Sequence, residues 1–512
     1  MRLSDLQSPR LPLRVPRRLR ASGPPAQDPD VFTSDLRRTL EAHRSSNRAR
    51  LIRKIYPKTP PAGLFRPYIP PENRAGYRAP GRPAPTADES KTKKSTSRKH
   101  SRGLTRDTSA QSTKDQFMKG PIQGSGPLPE QQPWLSYRAS FQTTGDATTY
   151  LGTEIQALDN YLSPSATERE QIHRVTTDLA LLLGKVIPQP PQLIGSRRTG
   201  LALAHSNLNF LLPFEDPSRS LGRARRPSAS RPQIQEDHSN LIRQVRSILL
   251  SNPIFDGSVQ LFGKRKPILK ARHGPTGLLL EFQCGEIVPA IDEYLQDYLV
   301  EYPVLRPLYA GARTLLEARD TFGAAKASIG SDELAILIVA FLKIHHGRFL
   351  GPHRLGDQFL ALLRFYSADV DLRSVGVAVD PPGLFNAKTL RIPSEADEPA
   401  YLRGQRALVK AKRAAVRAGN FRVGQRLCIQ DPTHYGNDLG RWCHRTFDLQ
   451  DTFAVAYERL VFACKDWKGP CEDSSILAAA VRANFDELEN VRRKIVRPIS
   501  TAPGLHLPKR TD

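Results

Sequence analysis

Apolar residues recur along this chain at two different spacings, and the spacing indicates which kind of element each stretch forms. Spacings of three and four residues predict helices at residues 151–162 and 166–186. Short apolar runs bounded by turn residues predict strands at residues 259–261, 268–272 and 278–284. The middle of the chain is therefore expected to fold as a mixed α/β unit.

Helical patterns dominate the second half of the chain. A helix that begins near Gly330 is apolar nearly all round, which is typical of a helix buried inside a helical domain. Residues 401–418 form a different pattern, with basic residues at spacings of 3, 4, 3 and 4. We interpret this basic stripe as a surface for an RNA phosphate backbone, with a solvated charged face as the alternative. The spacing places its five members on one helical face: Arg403, Arg406, Lys410, Arg413 and Arg417.

Two polar side chains alternate with apolar ones near the end of residues 193–212. Successive side chains of a strand point to opposite faces, so Asn207 and Asn209 share one face. The dipeptide at residues 195–196, Gly-Ser, precedes this strand and predicts a tight turn. A turn followed by paired polar residues on one strand face indicates a binding site.

This arrangement resembles the opening motif of the DNA polymerase β-like nucleotidyltransferases, in particular of the terminal poly(A) and poly(U) polymerases that extend RNA 3′ ends. The resemblance implies an α/β nucleotidyltransferase palm, with a mixed sheet and helices, followed by a mostly helical poly(A)-polymerase-associated domain. It also implies that Gly195 and Ser196 bind nucleotide phosphates. Six residues match the motif in order and spacing: Gly195, Ser196, Thr199, Gly200, Leu201 and Ser206.

The chain departs from this family at the metal-binding positions. The family's strand carries Asp-x-Asp, which holds two Mg²⁺ ions, whereas this chain has Asn207 and Asn209. The resemblance places the third carboxylate at Glu281, so the formal charge of the three positions falls from −3 to −1. Two-metal phosphoryl transfer needs anionic oxygen ligands. We therefore predict a catalytically inactive or impaired protein that binds no metal ion. The alternative is an active poly(A) or oligo(U) polymerase that uses Mg²⁺ or Mn²⁺.

Later motifs supply the other nucleotide-binding residues that the resemblance implies. Residues 301–319 resemble the helix whose lysine faces the triphosphate, and Arg313 occupies that position and keeps the charge. Residues 428–460 resemble a stretch that contains the family's nucleotide-recognition loop, in which Asn437 and Asp438 contribute to recognition. Both features predict a nucleotide cleft between the palm and the helical domain.

The helix near Gly330 contains a second departure from the family. Relatives place small hydroxyl residues at its N-terminus, where they meet the triphosphate together with the helix dipole. This chain keeps Ser331 but follows it with Asp332 and Glu333. Acids favour the first turn of a helix, yet they repel a triphosphate. Both departures from the family therefore predict a protein whose catalytic activity is lost or impaired.

Charge and composition set the expected domain boundaries. The formal net charge is +25, and residues 1–135 contribute 27 − 11 = +16 of it. That segment is predicted to be a disordered basic arm with one helix at residues 31–56. A polar, arginine-rich insert at residues 215–237 is predicted to be a surface loop. The palm with its preceding helices is expected at residues 136–190 and 191–300, the helical domain at 301–465, and a C-terminal helix and tail at 466–512.

The basic charge indicates a polyanionic partner, which the resemblance identifies as RNA, in RNA 3′-end processing or in a ribonucleoprotein complex. Residues 1–20 hold six arginines and one acid, the balance of a mitochondrial transit peptide, with a basic tail of a nuclear protein as the alternative. The five cysteines form no CxxC pair and are expected to be reduced thiols. No apolar run of about 18 residues occurs, so no membrane partner is expected.

Overall fold

The helices and strands of this chain are known over part of its length. The computed structural model describes residues 120–126, 128–138, 146–184, 186–214, 232–255, 258–263, 267–285, 291–349, 354–390, 398–469 and 475–497. All of these residues belong to one compact unit of the chain. The transit-type sequence, the helix predicted at residues 31–56 and most of the arginine-rich insert lie outside the described residues.

The elements of the described residues are a mixture of strands and helices up to β6 and are mostly helical thereafter. None of these helices is long and apolar enough to cross a membrane. The helices are α1 (Ala147–Leu162), α2 (Ala166–Leu183), α3 (Ser196–Thr199), α4 (Pro232–Ser251), α5 (Ile291–Glu301), α6 (Leu305–Ala318), α7 (Ser331–Ile344), α8 (Leu355–Arg364), α9 (Ala400–Arg417), α10 (Phe421–Gly424), α11 (Thr446–Asp466), α12 (Ala478–Val481) and α13 (Asp486–Val496). The strands are β1 (Gln123–Gly124), β2 (Gln192–Ile194), β3 (Leu208–Pro213), β4 (Gln260–Phe262), β5 (Ile268–Arg272), β6 (Leu279–Gly285), β7 (Gly376–Val379), β8 (Pro382–Phe385) and β9 (Ala483–Asn484).

A five-stranded mixed sheet forms the palm, in the order β2-β3-β6-β5-β4. The central strands β3 and β6 are parallel, and the other neighbouring pairs are antiparallel. Their register places Asn209 opposite Glu281. The register of β5 and β6 places Lys270 opposite the same glutamate. Because directly opposed residues point to the same side of a sheet, these polar side chains share one face.

The other face of the sheet is covered by helices. Leu208, Phe210 and Leu212 of β3 are buried in a core formed with α2, α4 and α13. The rings of Phe210 and Phe282 stack with their centroids 5.3 Å apart. Since strand side chains alternate, this buried face turns Asn209 toward the opposite side of the sheet.

The two helices predicted before the sheet are present, and their first turns are capped. Ser165 and Glu168 form a capping box at the start of α2, in which the Glu168 N–H donates to the Ser165 hydroxyl at 3.1 Å. The Asp146 carboxylate accepts a hydrogen bond from the Thr149 N–H at 2.8 Å and starts α1. These side chains explain why α2 begins where the sequence predicted and why α1 begins before residue 151.

The helical domain contains α6, α7, α8 and α11, and α1 packs against α6 and α8. Gly356 permits the contact between α1 and α8, because a Cβ at that position would lie 1.9 Å from the Thr148 carbonyl oxygen. Helix α7 is buried from Leu334 to Lys343, as its apolar sequence predicted. The sequence predicted α1 as one of the helices that precede the palm sheet, and its main helical partners in the structure are α6 and α8.

Residues before the predicted boundary at position 135 are part of the fold. Ile122 is buried, and β1 pairs antiparallel with β9 near the other end of the chain. Trp134 packs edge-on against Phe485, with ring centroids 5.9 Å apart. These contacts join segments that are far apart in sequence, which is why local composition did not reveal them.

Three other elements differ from the sequence predictions. Helix α4 begins at Pro232, inside the stretch predicted as a loop, and it buries Ile234 and His238. Helix α5 and the β7–β8 hairpin were not predicted, and Val377 of that hairpin forms an isolated β-bridge to Ile429. Helix α5 has a direct consequence for the candidate site, because it brings an additional acid to the Gly-Ser turn.

Candidate functional site

A cavity of about 340 Å³ lies between the polar face of the sheet and the helical domain. On the sheet side it is lined by Gly195, Ser196, Asn207, Asn209 and Glu281. On the helical side it is lined by α6 and the N-terminus of α7. The fold therefore brings together most of the positions that the sequence motifs singled out.

The Gly-Ser turn depends on glycine and is already bound by a carboxylate. Gly195 has a φ of 70° and Gly200 a φ of 89°, in the left-handed region that side chains disfavour. The Gly195 N–H donates a hydrogen bond to the Asp292 carboxylate at the start of α5. Asp292 also lies 3.9 Å from the Arg198 guanidinium. An acid of the chain itself therefore binds the turn on which the resemblance implied a nucleotide phosphate.

The three degenerate metal positions are adjacent, and a lysine lies among them. Asn207 Nδ2 donates to Glu281 Oε1 at 3.3 Å. Lys270 Nζ lies 2.5 Å from the same glutamate oxygen. Asn209 Oδ1 is buried and has no hydrogen-bond partner among the described residues. The formal charge of these four residues is −1 + 1 = 0.

These residues do not fit a pair of divalent cations. Mg²⁺ takes hard oxygen ligands, and carboxylates also offset the repulsion between two such ions. The orphaned oxygen of Asn209 is a neutral acceptor. The Glu281 carboxylate is neutralised by Lys270, whose ammonium repels an incoming cation. Across the described ranges, no group of three His, Cys, Asp or Glu side chains is arranged to hold a metal ion.

The N-terminus of α7 carries two acids that face the same cavity. The Glu333 carboxylate accepts hydrogen bonds from the backbone N–H groups of Gly330 and of Glu333 itself, and so it caps its own helix. Asp332 Oδ1 is buried without a hydrogen-bond partner in the described part of the chain. Burial, followed by the charges of Glu333 and Asp292, raises the pKa of Asp332 to about 8. The helix end that would attract a triphosphate therefore presents acids to it.

Asp332→Asn is expected to stabilise the protein increasingly as the pH rises. An aspartate titrates near 3.8 when unperturbed, and its folded pKa is about 8, so the unfolded chain loses this proton first. Folding therefore becomes less favourable between these two values, and the cost is complete above pH 8. We expect a gain of about 1–3 kcal/mol in the free energy of unfolding at pH 8.5, falling to near zero at pH 4. Urea unfolding at several pH values measures it, and a gain of equal size at every pH would contradict the assignment.

Arg313 lies in the cavity wall, but its guanidinium is bonded within the protein. Its Nε donates to Glu317 Oε1 at 2.7 Å, and its Nη1 donates to Ser206 Oγ at 2.9 Å. His205 Nε2 lies 2.9 Å from Glu317 Oε2. Burial alone would raise the pKa of Glu317, but Arg313 and His205 outweigh it and lower that pKa to about 2. The resemblance implied a triphosphate contact for Arg313; the structure gives it a buried ion pair instead.

Asn437 and Asp438 hold their own loop together. Asp438 Oδ1 accepts a hydrogen bond from the Ile429 N–H at 3.0 Å, and its Oδ2 lies 3.3 Å from Arg426. Asn437 Nδ2 donates to Asp431 Oδ2 at 2.8 Å. Neither residue is among those described as lining the cavity. Their polar atoms stabilise a loop that lies near the cavity, since Asp438 acts electrostatically on Glu333 in the cavity wall. The nucleotide contact that the resemblance implies for them stays a prediction.

The basic stripe on α9 is exposed at four of its five positions, Arg403, Lys410, Arg413 and Arg417. Arg406 is half-buried and forms an ion pair with Glu398. Its Nη1 also donates to the Leu390 carbonyl oxygen at 2.6 Å. Arg406 therefore belongs to the fold, because an acid just before the helix neutralises it.

Sequence reasoning missed Lys270 and Asp292. Lys270 stands between the buried Leu269 and Ala271 in β5, and a lysine inside an apolar strand is a signal of an acidic partner on the neighbouring strand. Asp292 gave no such signal, because the helix that carries it was not predicted. Both residues change the charge of the site.

Comparison with known proteins supports the fold. No protein-family profile matches the chain. The structure of the polymerase core of TRAMP, an RNA surveillance complex, is 19% identical, aligns over 69% of this chain and 99% of its own, and has a TM-score of 0.54. The Cid1 poly(U) polymerase with MgGTP bound is 14% identical over 65% and 98% of the two chains, with a TM-score of 0.45. The GLD-2/RNP-8 complex is 13% identical over 61% and 95%, with a TM-score of 0.44.

The mixed five-stranded sheet and the mostly helical elements that follow it agree with the fold that the resemblance implied. The likeness to the TRAMP polymerase core confirms that prediction over nearly the whole length of the core. The chain therefore has the fold of the terminal RNA nucleotidyltransferases, with an α/β palm and a helical second domain.

Proposed function

We propose that this protein is an RNA-binding protein that keeps a nucleotidyltransferase scaffold without its polymerising chemistry. The single observation that carries the proposal is the ion pair of 2.5 Å between Lys270 and Glu281. It uses the one carboxylate left at the metal positions, since the other two are Asn207 and Asn209.

Electrostatics supports the loss of metal chemistry. A nucleotide-bound pair of divalent cations brings four positive charges into a small volume, and the triphosphate offsets only part of that charge. In the partly buried cleft, unit charges about 4 Å apart interact by about 4 kcal/mol. A site with a formal charge of zero supplies none of the attraction that three carboxylates would give. The lysine ammonium at this position also occupies the space beside the carboxylate.

The nucleotide side of the cavity supports the same proposal. The Gly-Ser turn is bound by Asp292, and the start of α7 is capped by Glu333. Three basic side chains near the cavity are paired with acids, Lys270 with Glu281, Arg313 with Glu317 and Lys326 with Asp320. A triphosphate entering this cavity would find the backbone N–H groups of Gly195 and of the α7 N-terminus already bound by carboxyl groups of the chain itself.

RNA remains the proposed partner because of the surface charge. The formal net charge of +25 favours binding to a polyanion through counterion release. Four of the basic residues on α9 are exposed. The polymerase core of TRAMP, an RNA surveillance complex, has a similar fold, which supports RNA as the partner. We propose that the present chain acts in RNA processing as a binding subunit of a ribonucleoprotein complex.

A tailing assay tests the proposal. The full chain is incubated with a labelled single-stranded RNA, ATP or UTP, and Mg²⁺ or Mn²⁺, and the expected result is RNA of unchanged length that is nevertheless bound. Glu281→Ala serves as the matched variant, and it is expected to behave like the wild type. Extension of the RNA by the wild type that disappears in Glu281→Ala would establish an active polymerase and overturn the proposal.

A further inference from the structure

The end of α9 and the short helix α10 form a basic surface with an exposed aromatic ring. Helix α10 packs closely against α9. Gly424 permits this contact, since a Cβ at that position would lie 2.2 Å from Val416 Cγ2. Phe421, the first residue of α10, is 59% exposed. The sequence contains no acid between Glu398 and Asp431. The exposed basic residues of this surface are Lys410, Arg413, Arg417 and Arg422.

The structure separates these residues from the basic side chains that support the fold. Lys412 turns inward, and its Nζ donates to the carbonyl oxygens of Arg373 at 3.0 Å and Arg426 at 2.7 Å. Arg406 is paired with Glu398. These two cations are used internally, whereas the four exposed ones face solvent in a segment without an acid to neutralise them. The surface therefore carries a concentrated positive charge.

A second exposed aromatic residue lies on the neighbouring segment. Trp442 is 58% exposed, and the Arg441 guanidinium lies 5.8 Å from its ring centroid. That segment is joined to the surface, because the Leu427 N–H donates to the Cys443 carbonyl oxygen at 3.1 Å and His444 hydrogen-bonds to the backbone of Arg422. Arginine beside an exposed ring is a pairing that also suits a nucleic-acid base.

We propose that this surface, formed by Lys410, Arg413, Arg417, Phe421, Arg422 and Trp442, binds single-stranded RNA. The proposal rests on the proposed function, that the protein binds RNA, and it adds where and in which form. The basic side chains meet phosphates, and the two rings stack on unpaired bases, which a duplex keeps inside its helix. Because these residues lie outside the cavity, RNA binds without entering the former catalytic site.

Removing the two rings tests the stacking. Phe421→Ala with Trp442→Ala is expected to weaken binding of a single-stranded RNA of twelve nucleotides by roughly tenfold or more. Binding of a duplex RNA of the same length should change less than about twofold, since its bases are not accessible. The matched control is Phe462→Ala, which removes a ring that is 66% exposed on α11. Equal losses for the single strand and the duplex, or no loss for either, overturn the proposal.

Removing two charges tests the phosphate contacts. Arg413→Ala with Arg417→Ala is expected to reduce the salt slope of single-strand binding by about 1.4, from roughly 0.7 for each phosphate contact. Arg243→Ala with Arg246→Ala removes two exposed arginines from α4 and is the charge-matched control. An unchanged slope overturns the proposal. If polyglutamate competes for the surface as well as unlabelled RNA does, the surface binds acidic proteins, and the proposal is also overturned.

These outcomes are distinct from a failure of the proposed function. If the wild type extends RNA in the tailing assay, the proposed function is wrong. The ring and charge variants still report whether this surface binds RNA, because binding is measured without nucleotide. Conversely, if RNA binding is as tight as in the wild type after all four substitutions, only the assignment of this surface is wrong and the proposed function stands. Circular dichroism of each variant confirms that exposed positions were changed without unfolding.

Discussion

Glu317→Ala will lower the free energy of unfolding by about 3–5 kcal/mol, because it leaves a buried guanidinium without its carboxylate. Glu317 is only 8% exposed and Arg313 only 5%. Both Arg313 and His205 direct nitrogen atoms at this one carboxylate. The hydroxyl of Ser206, immediately before Asn207, accepts a hydrogen bond from the same arginine. The substitution therefore disturbs the start of the strand that carries the candidate site.

Urea unfolding measures this loss, and the chain provides a matched control. Glu170 and Arg174 form an ion pair with the same spacing of four residues, but their side chains are 60% and 59% exposed. Glu170→Ala is expected to change stability by less than about 1 kcal/mol, as exposed pairs do. A loss from Glu317→Ala no larger than that of the control would mean that the Arg313 charge is solvated, and it would contradict the buried ion pair.

The sequence predicted the arrangement of the metal positions because that information is local. The bounds of β5 follow from a short apolar run ended by a turn, and the observed strand, Ile268–Arg272, has the predicted ends. Alternation along the predicted strand placed Asn207 and Asn209 on one face. The family resemblance placed the third metal position at Glu281, and the register of the two strands sets this residue opposite Asn209.

The partners of Arg313 were not predictable in the same way. His205 and Glu317 are 112 residues apart in sequence, and no local pattern indicates that they meet. The resemblance implied a phosphate contact for Arg313, because arginine carries the same positive charge as the family's lysine. Glu317 follows Arg313 by one helical turn, a spacing that the sequence contains, but only the packed structure shows that both side chains are buried and that their charges neutralise each other. The same reason applies to Asp292, which reaches the Gly-Ser turn from a helix that the motifs did not mark.

Asn207→Asp with Asn209→Asp will increase the affinity for Mn²⁺ by roughly 100-fold, or about 2.8 kcal/mol at 1.4 kcal/mol per tenfold. The two carboxylates change the formal charge of the four-residue site from 0 to −2, with Lys270 still paired to Glu281. A charge of that size attracts a divalent cation in a partly buried site. Asn160→Asp with Asn240→Asp adds the same charge at exposed positions and is expected to have no effect.

The same double variant is not expected to bind ATP more tightly, because the acids on α7 remain. Asp332 and Glu333 line the cavity, and the carboxylate of Glu333 holds the backbone N–H groups at the helix start. Adding Asp332→Ser and Glu333→Ser frees those donors, so metal-dependent ATP binding should appear only in the fourfold variant. Calorimetric titration of Mn²⁺ and then of ATP into each protein separates the two steps. If the wild type already binds Mn²⁺ as tightly as the double variant, two amides and one paired carboxylate are enough to hold the ion. The argument that the lost negative charge abolishes metal binding would then be wrong.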